Sequence, residues 1–169
     1  MAQFKISLPN DFREKLAQDC VYVENLRHKE EVPPYNIFVN NLMKSMNSPA
    51  EELHHAATGM SGEAGEILDV SKKVWVYNKQ LDIEHLLEEM GDLRFYYQAM
   101  LNMLGLNDEH IKAQNVLKLQ KRYTAGVYSD KEAQERKDKQ PLSAEGTKGD
   151  GAPRQRSFIG AKSEETSGS

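Results

Sequence analysis

The sequence predicts an all-α fold with an antiparallel four-helix bundle core, on three observations. Apolar residues between Tyr35 and Tyr123 recur at three- and four-residue spacings, with no alternation of period two and few β-branched side chains. Helix-start and helix-stop signals divide that stretch into four segments. The connections between segments are short, and short connections make consecutive helices antiparallel neighbours.

Residues 1–33 read as an N-terminal arm in which Phe12 to Val23 have amphipathic helical spacing, closed by Pro33-Pro34. In the first bundle helix Tyr35, Phe38, Val39, Leu42 and Met46 share a face at i, i+3, i+4, i+7 and i+11. Ser48-Pro49 is an N-cap followed by an N1 proline, and it opens a second helix reaching about Tyr77. Asp82 caps a third helix that runs to Leu104 and stops at Gly105. Asn107 caps the fourth, which runs to about Tyr123. Ser129 with Glu132 marks a short polar helix. Beyond it, Leu142, Phe158 and Ile159 are nearly the only large apolar residues. Residues 140–169 are therefore expected to be a disordered tail, too polar to offset their ordering entropy. The organisation expected is an arm (1–33), a helical domain (34–139) and a tail (140–169).

The chain's 169 residues favour one domain, and 38% hydrophobic with 28% charged residues suits a modest core. The net charge of −4 is uneven: residues 1–130 carry 14 Lys+Arg against 19 Asp+Glu. An acidic body argues against a phosphate-tracking groove for nucleic acid. Cys20 is the only cysteine, which excludes an internal disulfide and a thiolate metal site. The N-terminus lacks an apolar run of signal-peptide length, and no stretch approaches the ~18 apolar residues of a membrane span. No membrane partner and a cytoplasmic setting are the expectation.

The chemistry concentrates on the second and third helices. On the second, Leu53, Ala57, Met60, Ala64, Ile67, Leu68, Val74 and Trp75 form the apolar stripe, edged by His55, Gly59, Glu63, Glu66, Val70 and Lys73. On the third, Leu86, Met90, Leu93, Tyr97, Met100 and Leu104 form the stripe, edged by Glu89, Asp92 and Tyr96. Each helix thus carries a carboxylate pair at i, i+3 beside its packing seam. If the two helices fold back on each other, the pairs arrive within roughly 3 Å of the same level. Four converging carboxylates repel unless a cation joins them, and oxygen ligands select Mg²⁺ or Mn²⁺ over zinc. Acidic i, i+3 pairs are more often solvated surface. Against that stand their place beside the apolar stripes and the mid-helix glycines Gly59, Gly62, Gly65 and Gly91, which need a reason such as close approach of a helix or ligand.

On the fourth helix Asn115, Lys118 and Arg122 share a face, with Tyr123 following. Lys118 and Arg122 there suit phosphate oxygens, as does Lys73 on the carboxylate edge, although each also reads as solvated surface. Trp75, Phe95, Tyr96 and Tyr97 read first as core or subunit-interface residues, with Tyr96 also a candidate for nucleotide contact.

These residues carry a resemblance. Glu63-Ala-Gly-Glu66 followed by Glu89-Met-Gly-Asp92 resembles the E-x-x-E…E-x-x-D signature of the MazG-like all-α nucleoside triphosphate pyrophosphatases. His55-Ala-Ala-Thr-Gly59, Lys72-Lys73 and Asn115-Val-Leu-Lys118-Leu-Gln-Lys-Arg122-Tyr123 extend it over roughly residues 35–137, and the chain looks most like the small stand-alone phage versions. The resemblance implies a four-helix core completed as a dimer or a dimer of dimers. It implies Mg²⁺ on Glu63, Glu66, Glu89 and Asp92, and phosphates on Lys118 and Arg122. The expected reaction converts an NTP or dNTP to the monophosphate and pyrophosphate, with Glu63 or Glu66 activating the attacking water. The base is placed toward the first helix, where Asn36, Asn40 and Asn41 lie near Phe38. A non-catalytic helical interaction module and a phosphoribosyl-ATP pyrophosphohydrolase of the same fold are the alternatives. A di-iron bundle fails for lack of a Glu-x-x-His on each of two helices.

Overall fold

A computed structural model of the chain describes residues 6–139. The described residues are helical and contain no strand: α1 (Asn10–His28), α2 (Tyr35–Leu42), α3 (Pro49–Trp75), α4 (Ile83–Leu104), α5 (Asp108–Arg122) and α6 (Asp130–Glu135), followed by a 3₁₀ turn at Lys137–Lys139. Residues 140–169, where the tail is expected, lie outside the described residues, as do residues 1–5. No described helix is long and apolar enough to cross a membrane. The described residues divide into two compact units, one ending at Lys118 and the other beginning at Leu119, with the boundary inside α5.

The helix boundaries follow from local chemistry. Ser48 Oγ accepts a hydrogen bond from Glu51 N at 3.3 Å, and Pro49 occupies the first turn, where its missing N–H costs nothing. Asp82 Oδ1 accepts from His85 N at 3.1 Å and starts α4. Gly105, at φ 63°, ends it in the left-handed conformation that an L side chain resists. Asn107 and His110 cap α5 reciprocally: Asn107 Oδ1 accepts from His110 N, and His110 Nδ1 accepts from Asn107 N. The arm helix α1 is longer than its apolar spacing indicates, and it buries no residue. Its ion pair from Lys15 to Glu84 of α4 is exposed and contributes little.

Within the first unit the principal packing is α3 against α4, with α2 laid on α4. Val39 from α2, Ala56 from α3 and Ala99 from α4 form the core, with Tyr35, Met43, Phe95 and Met100 against it. Asn102 Nδ2 donates to the Asn36 carbonyl at 2.7 Å, fixing the α2–α4 register. α5 buries none of its residues; its start is tied down by Arg94 Nη2 to Asp108 Oδ2 at 2.7 Å.

The expected apolar stripes are only partly covered: Met60, Ile67 and Val74 of α3 and Leu86, Leu93, Tyr97 and Met100 of α4 are half-buried. On α3, Leu53, Ala57, Ala64, Leu68 and Trp75 are exposed, Trp75 by 88%, whereas Ala56 and Val70 are buried. On α4, Met90 and Leu104 are exposed, whereas Glu89, Gln98, Ala99 and Leu101 are buried. On α3 the most buried positions lie toward the acidic edge. A steric fit sits on that edge: the Tyr96 ring of α4 lies against the α3 backbone at Gly59, where no side chain intervenes. Ala56, Glu63 and Val70, seven residues apart, line the seam. The other three mid-helix glycines, Gly62, Gly65 and Gly91, face open space, so close approach explains Gly59 alone.

Replacing Asp82 by Ala removes the α4 cap and is expected to lower stability by about 1 kcal/mol, while Asp82→Asn keeps most of it. Urea unfolding of the two variants reads the difference.

Candidate functional site

The packing of α3 on α4 brings three of the four acidic candidates together. One carboxylate oxygen each from Glu63, Glu89 and Asp92 lies within 4.8 Å of the others. Opposite ligands of a hard cation bound at about 2.0–2.6 Å stand about 4–5 Å apart, so the spacing fits a bound metal ion. Glu89 is 8% exposed, Glu63 is half-buried and Asp92 is open to solvent. Glu66 is exposed and stays outside this group, although its charge still acts on Glu63.

The group is electrostatically unfavourable as it stands. Burial pushes the Glu63 carboxyl above its ordinary 4.5, and a hydrogen bond with Glu89 and the charges of Asp92, Glu89 and Glu66 push it the same way. This is the observation on which a metal fits: the donors are oxygens, they converge, and the charges of Asp92, Glu89 and Glu66 disfavour ionisation of Glu63.

His85 is a member of the constellation that the carboxylate spacing did not reveal. Its Nδ1 lies 3.2 Å from Glu89 Oε1 and 3.8 Å from Glu88 Oε2, and the three form a second group able to hold a metal ion. Glu89 is thus shared between two clusters. The signal available in the sequence is the i, i+4 spacing of His85 and Glu89 in the first turns of α4.

Beside the carboxylates opens a hollow of about 500 Å³. Glu63, Gly91 and Asp92 form its acidic rim; Tyr35, Phe38, Leu42, Phe95 and Tyr96 form its walls. Phe38 is where the base was expected, but Asn36, Asn40 and Asn41 do not line the hollow. The aromatic rings Phe95 and Tyr96 do, at a centroid separation of 5.4 Å and edge to face. Arg94, two residues after Asp92, stacks over Tyr97 at 5.1 Å and Tyr35 at 5.8 Å. Burial raises the Tyr35 hydroxyl; the Arg94 charge opposes that and the Asp92 charge adds to it.

The basic candidates fall in separate places. Lys73 Nζ pairs with Asp69 at 2.9 Å, which raises its pKa, and Lys72 pairs with the same carboxylate at 3.3 Å. Asn115 and Lys118 are exposed and line a shallow hollow on α5 with Ile111. Lys118 makes no ion pair among the described residues. Arg122 and Tyr123 belong to the second unit. There Arg122 Nε and Nη2 donate to Asp138 Oδ1 and Oδ2 at 2.7 and 2.8 Å, a bidentate fork. The Asp138 side chain is 1% exposed. The guanidinium beside it holds that carboxyl down to about 2. The Tyr123 ring lies 5.8 Å from that of Tyr128. Thr124 donates to Glu132 Oε1 from N at 3.2 Å and Oγ1 at 2.6 Å, and Ser129 caps α6. The expected cap at Ser129 with Glu132 is therefore present, and Glu132 also ties the α5–α6 loop.

Two outcomes follow. The raised Glu63 value means the metal-free protein gains stability from protonation, present at low pH and lost as pH rises upward from 4.5. Glu63→Gln should flatten that loss in metal-free melting curves between pH 5 and 8, and should abolish any stabilisation by added Mg²⁺. In the second unit the Asp138 contribution is present above 3.8 and lost as pH falls toward about 2. At neutral pH, Asp138→Asn should therefore speed amide exchange across Ser129–Lys139.

No family model matches this chain, and neither does any curated protein or solved structure.

Proposed function

We propose that the protein is a divalent-metal-dependent nucleoside triphosphate pyrophosphohydrolase of the MazG-like kind, converting an NTP or dNTP to the monophosphate and pyrophosphate. One observation carries the reading: three carboxylates of two helices converge at the rim of a hollow walled by aromatic rings. That pairing suits a ligand with a polyanionic end, which needs a metal, and a flat apolar end, which needs rings.

Glu63, Glu89 and Asp92 hold the cation, Mg²⁺ with Mn²⁺ as substitute, and His85 orients Glu89. When bound, the cation supplies charge neutralisation for the triphosphate and makes water more acidic. Glu66, exposed next to the group, is placed to accept the proton of the water attacking the α-phosphorus. Lys118, which makes no ion pair among the described residues, stabilises charge on departing pyrophosphate, assisted by Asn115. Lys73 is held by Asp69 and serves as a phosphate ligand only where a phosphate displaces that carboxylate, and Arg122, held by Asp138 in the second unit, is left out of the site. Tyr35, Phe38, Phe95 and Tyr96 receive the base.

The uncovered face of α3 extends the reading to assembly. Leu53, Ala57, Ala64 and Leu68 are exposed along one helix, with no charged residue between them on that face, and a second copy of the chain is its occupant. The four-helix arrangement is completed in that assembly.

Incubation with each NTP and dNTP plus Mg²⁺, followed by assay of pyrophosphate, tests the activity. Glu63→Gln, Glu66→Ala and Asp92→Ala are each expected to reduce release by about a hundredfold or more. Absence of release from every substrate ends the proposal, and full activity in Asp92→Ala moves the site elsewhere. Leu68→Lys should convert the assembly to monomer in sedimentation runs.

A further inference from the structure

The hollow owes one wall to a glycine. A Cβ built on Gly59 would fall within 3.0 Å of Tyr96 Cε1, Cδ1 and Cζ, well inside van der Waals contact. The ring therefore lies flush on the α3 backbone. Its other neighbours leave it little choice of position: Phe95 meets it edge-on at 5.4 Å, and His55, one turn before Gly59, meets it tilted at 6.1 Å. The remaining side of the ring fronts the hollow that Glu63 and Asp92 rim.

From this we infer that Gly59 is a specificity-determining residue: it seats the Tyr96 ring against α3 and thereby sets the width of the pocket for the flat end of the ligand, a nucleobase. The inference deepens the function proposed above, since it names which part of the substrate the hollow admits and what fixes its size. A methyl group at position 59 evicts the ring. The clashing atoms are the far end of a side chain that turns about χ1 and χ2, so the ring swings while the helices stay packed. The ring lines the hollow, and displaced from α3 it takes up space there. The space lost is that of the base, and a purine is excluded more strongly than a pyrimidine. Gly59 touches no substrate; it is a positioning residue acting through Tyr96.

The test is binding of uncharged deoxynucleosides to the metal-free protein, which the carboxylates do not repel, followed by NMR of ring-labelled tyrosine and phenylalanine. Wild type, Gly59→Ala, Tyr96→Leu and the double variant form a cycle. Deoxyadenosine is expected to shift the Tyr96 and Phe95 signals in wild type. Gly59→Ala should weaken this about ten- to a hundredfold, the loss for a methyl-sized misfit in a pocket, with a smaller loss for deoxycytidine. In the Tyr96→Leu background the same alanine should cost nothing further. If Gly59→Ala fails to fold, Tyr96→Leu alone decides: it should bind deoxyadenosine more weakly than wild type. In turnover, where pyrophosphate release is present, the Gly59→Ala effect should fall on KM and not on kcat. Nucleoside binding without pyrophosphate release in wild type leaves the seat standing and removes the hydrolysis. No nucleoside binding to wild type, equal binding by Gly59→Ala, or an equal alanine cost with and without the Tyr96 ring overturns the inference.

Discussion

Everything distinctive about this chain depends on negative charge held in a helix seam. Two carboxylates about 4 Å apart repel by about 4 kcal/mol at a dielectric appropriate to a partly screened protein site. Here three oxygens from Glu63, Glu89 and Asp92 lie within 4.8 Å of one another, and Glu89 is buried. A seam between two helices is ordinarily filled with apolar side chains, because unpaired charge there costs more than it returns. The raised Glu63 pKa is the mark of that conflict, and a bound cation would relieve it. Sites that sacrifice packing to keep charge are where function concentrates.

The helix ends were legible in the sequence because capping is local. Ser48, Asp82, Gly105, Asn107 and Ser129 each act within three or four residues of themselves, and no tertiary contact is needed to read them. The convergence of three of the four acids was legible through helix geometry, since rise per residue converts sequence position into height; the exclusion of Glu66 was not. Nor was the part of each apolar stripe that is covered. Apolar spacing placed Leu68 and Trp75 inward, but a hydrophobic stripe identifies a face to be covered without saying by what. The steric fit of Tyr96 on Gly59 joins residues 37 positions apart, and a single sequence contains no sign of which ring meets which glycine.

Arg122 illustrates a second limit. Its helical spacing from Asn115 and Lys118 reads as a phosphate-facing cation, and a carboxylate and a phosphate offer a guanidinium nearly the same fork. Asp138, sixteen residues on and past two turns, takes that fork. His85 was missed for the opposite reason: it stands near the site in sequence but one turn from the carboxylate pair, and its link to Glu89 is visible only once Glu89 is known to be buried. In each case the identity of the side chain was readable and its partner was not.

Trp75, the sole indole of the chain, stands almost wholly in water at the last residue of α3. Indole emission shifts with the polarity around the ring, so the protein carries its own optical reporter at the end of its longest helix. Whatever comes to cover that helix end announces itself by colour, with no label attached.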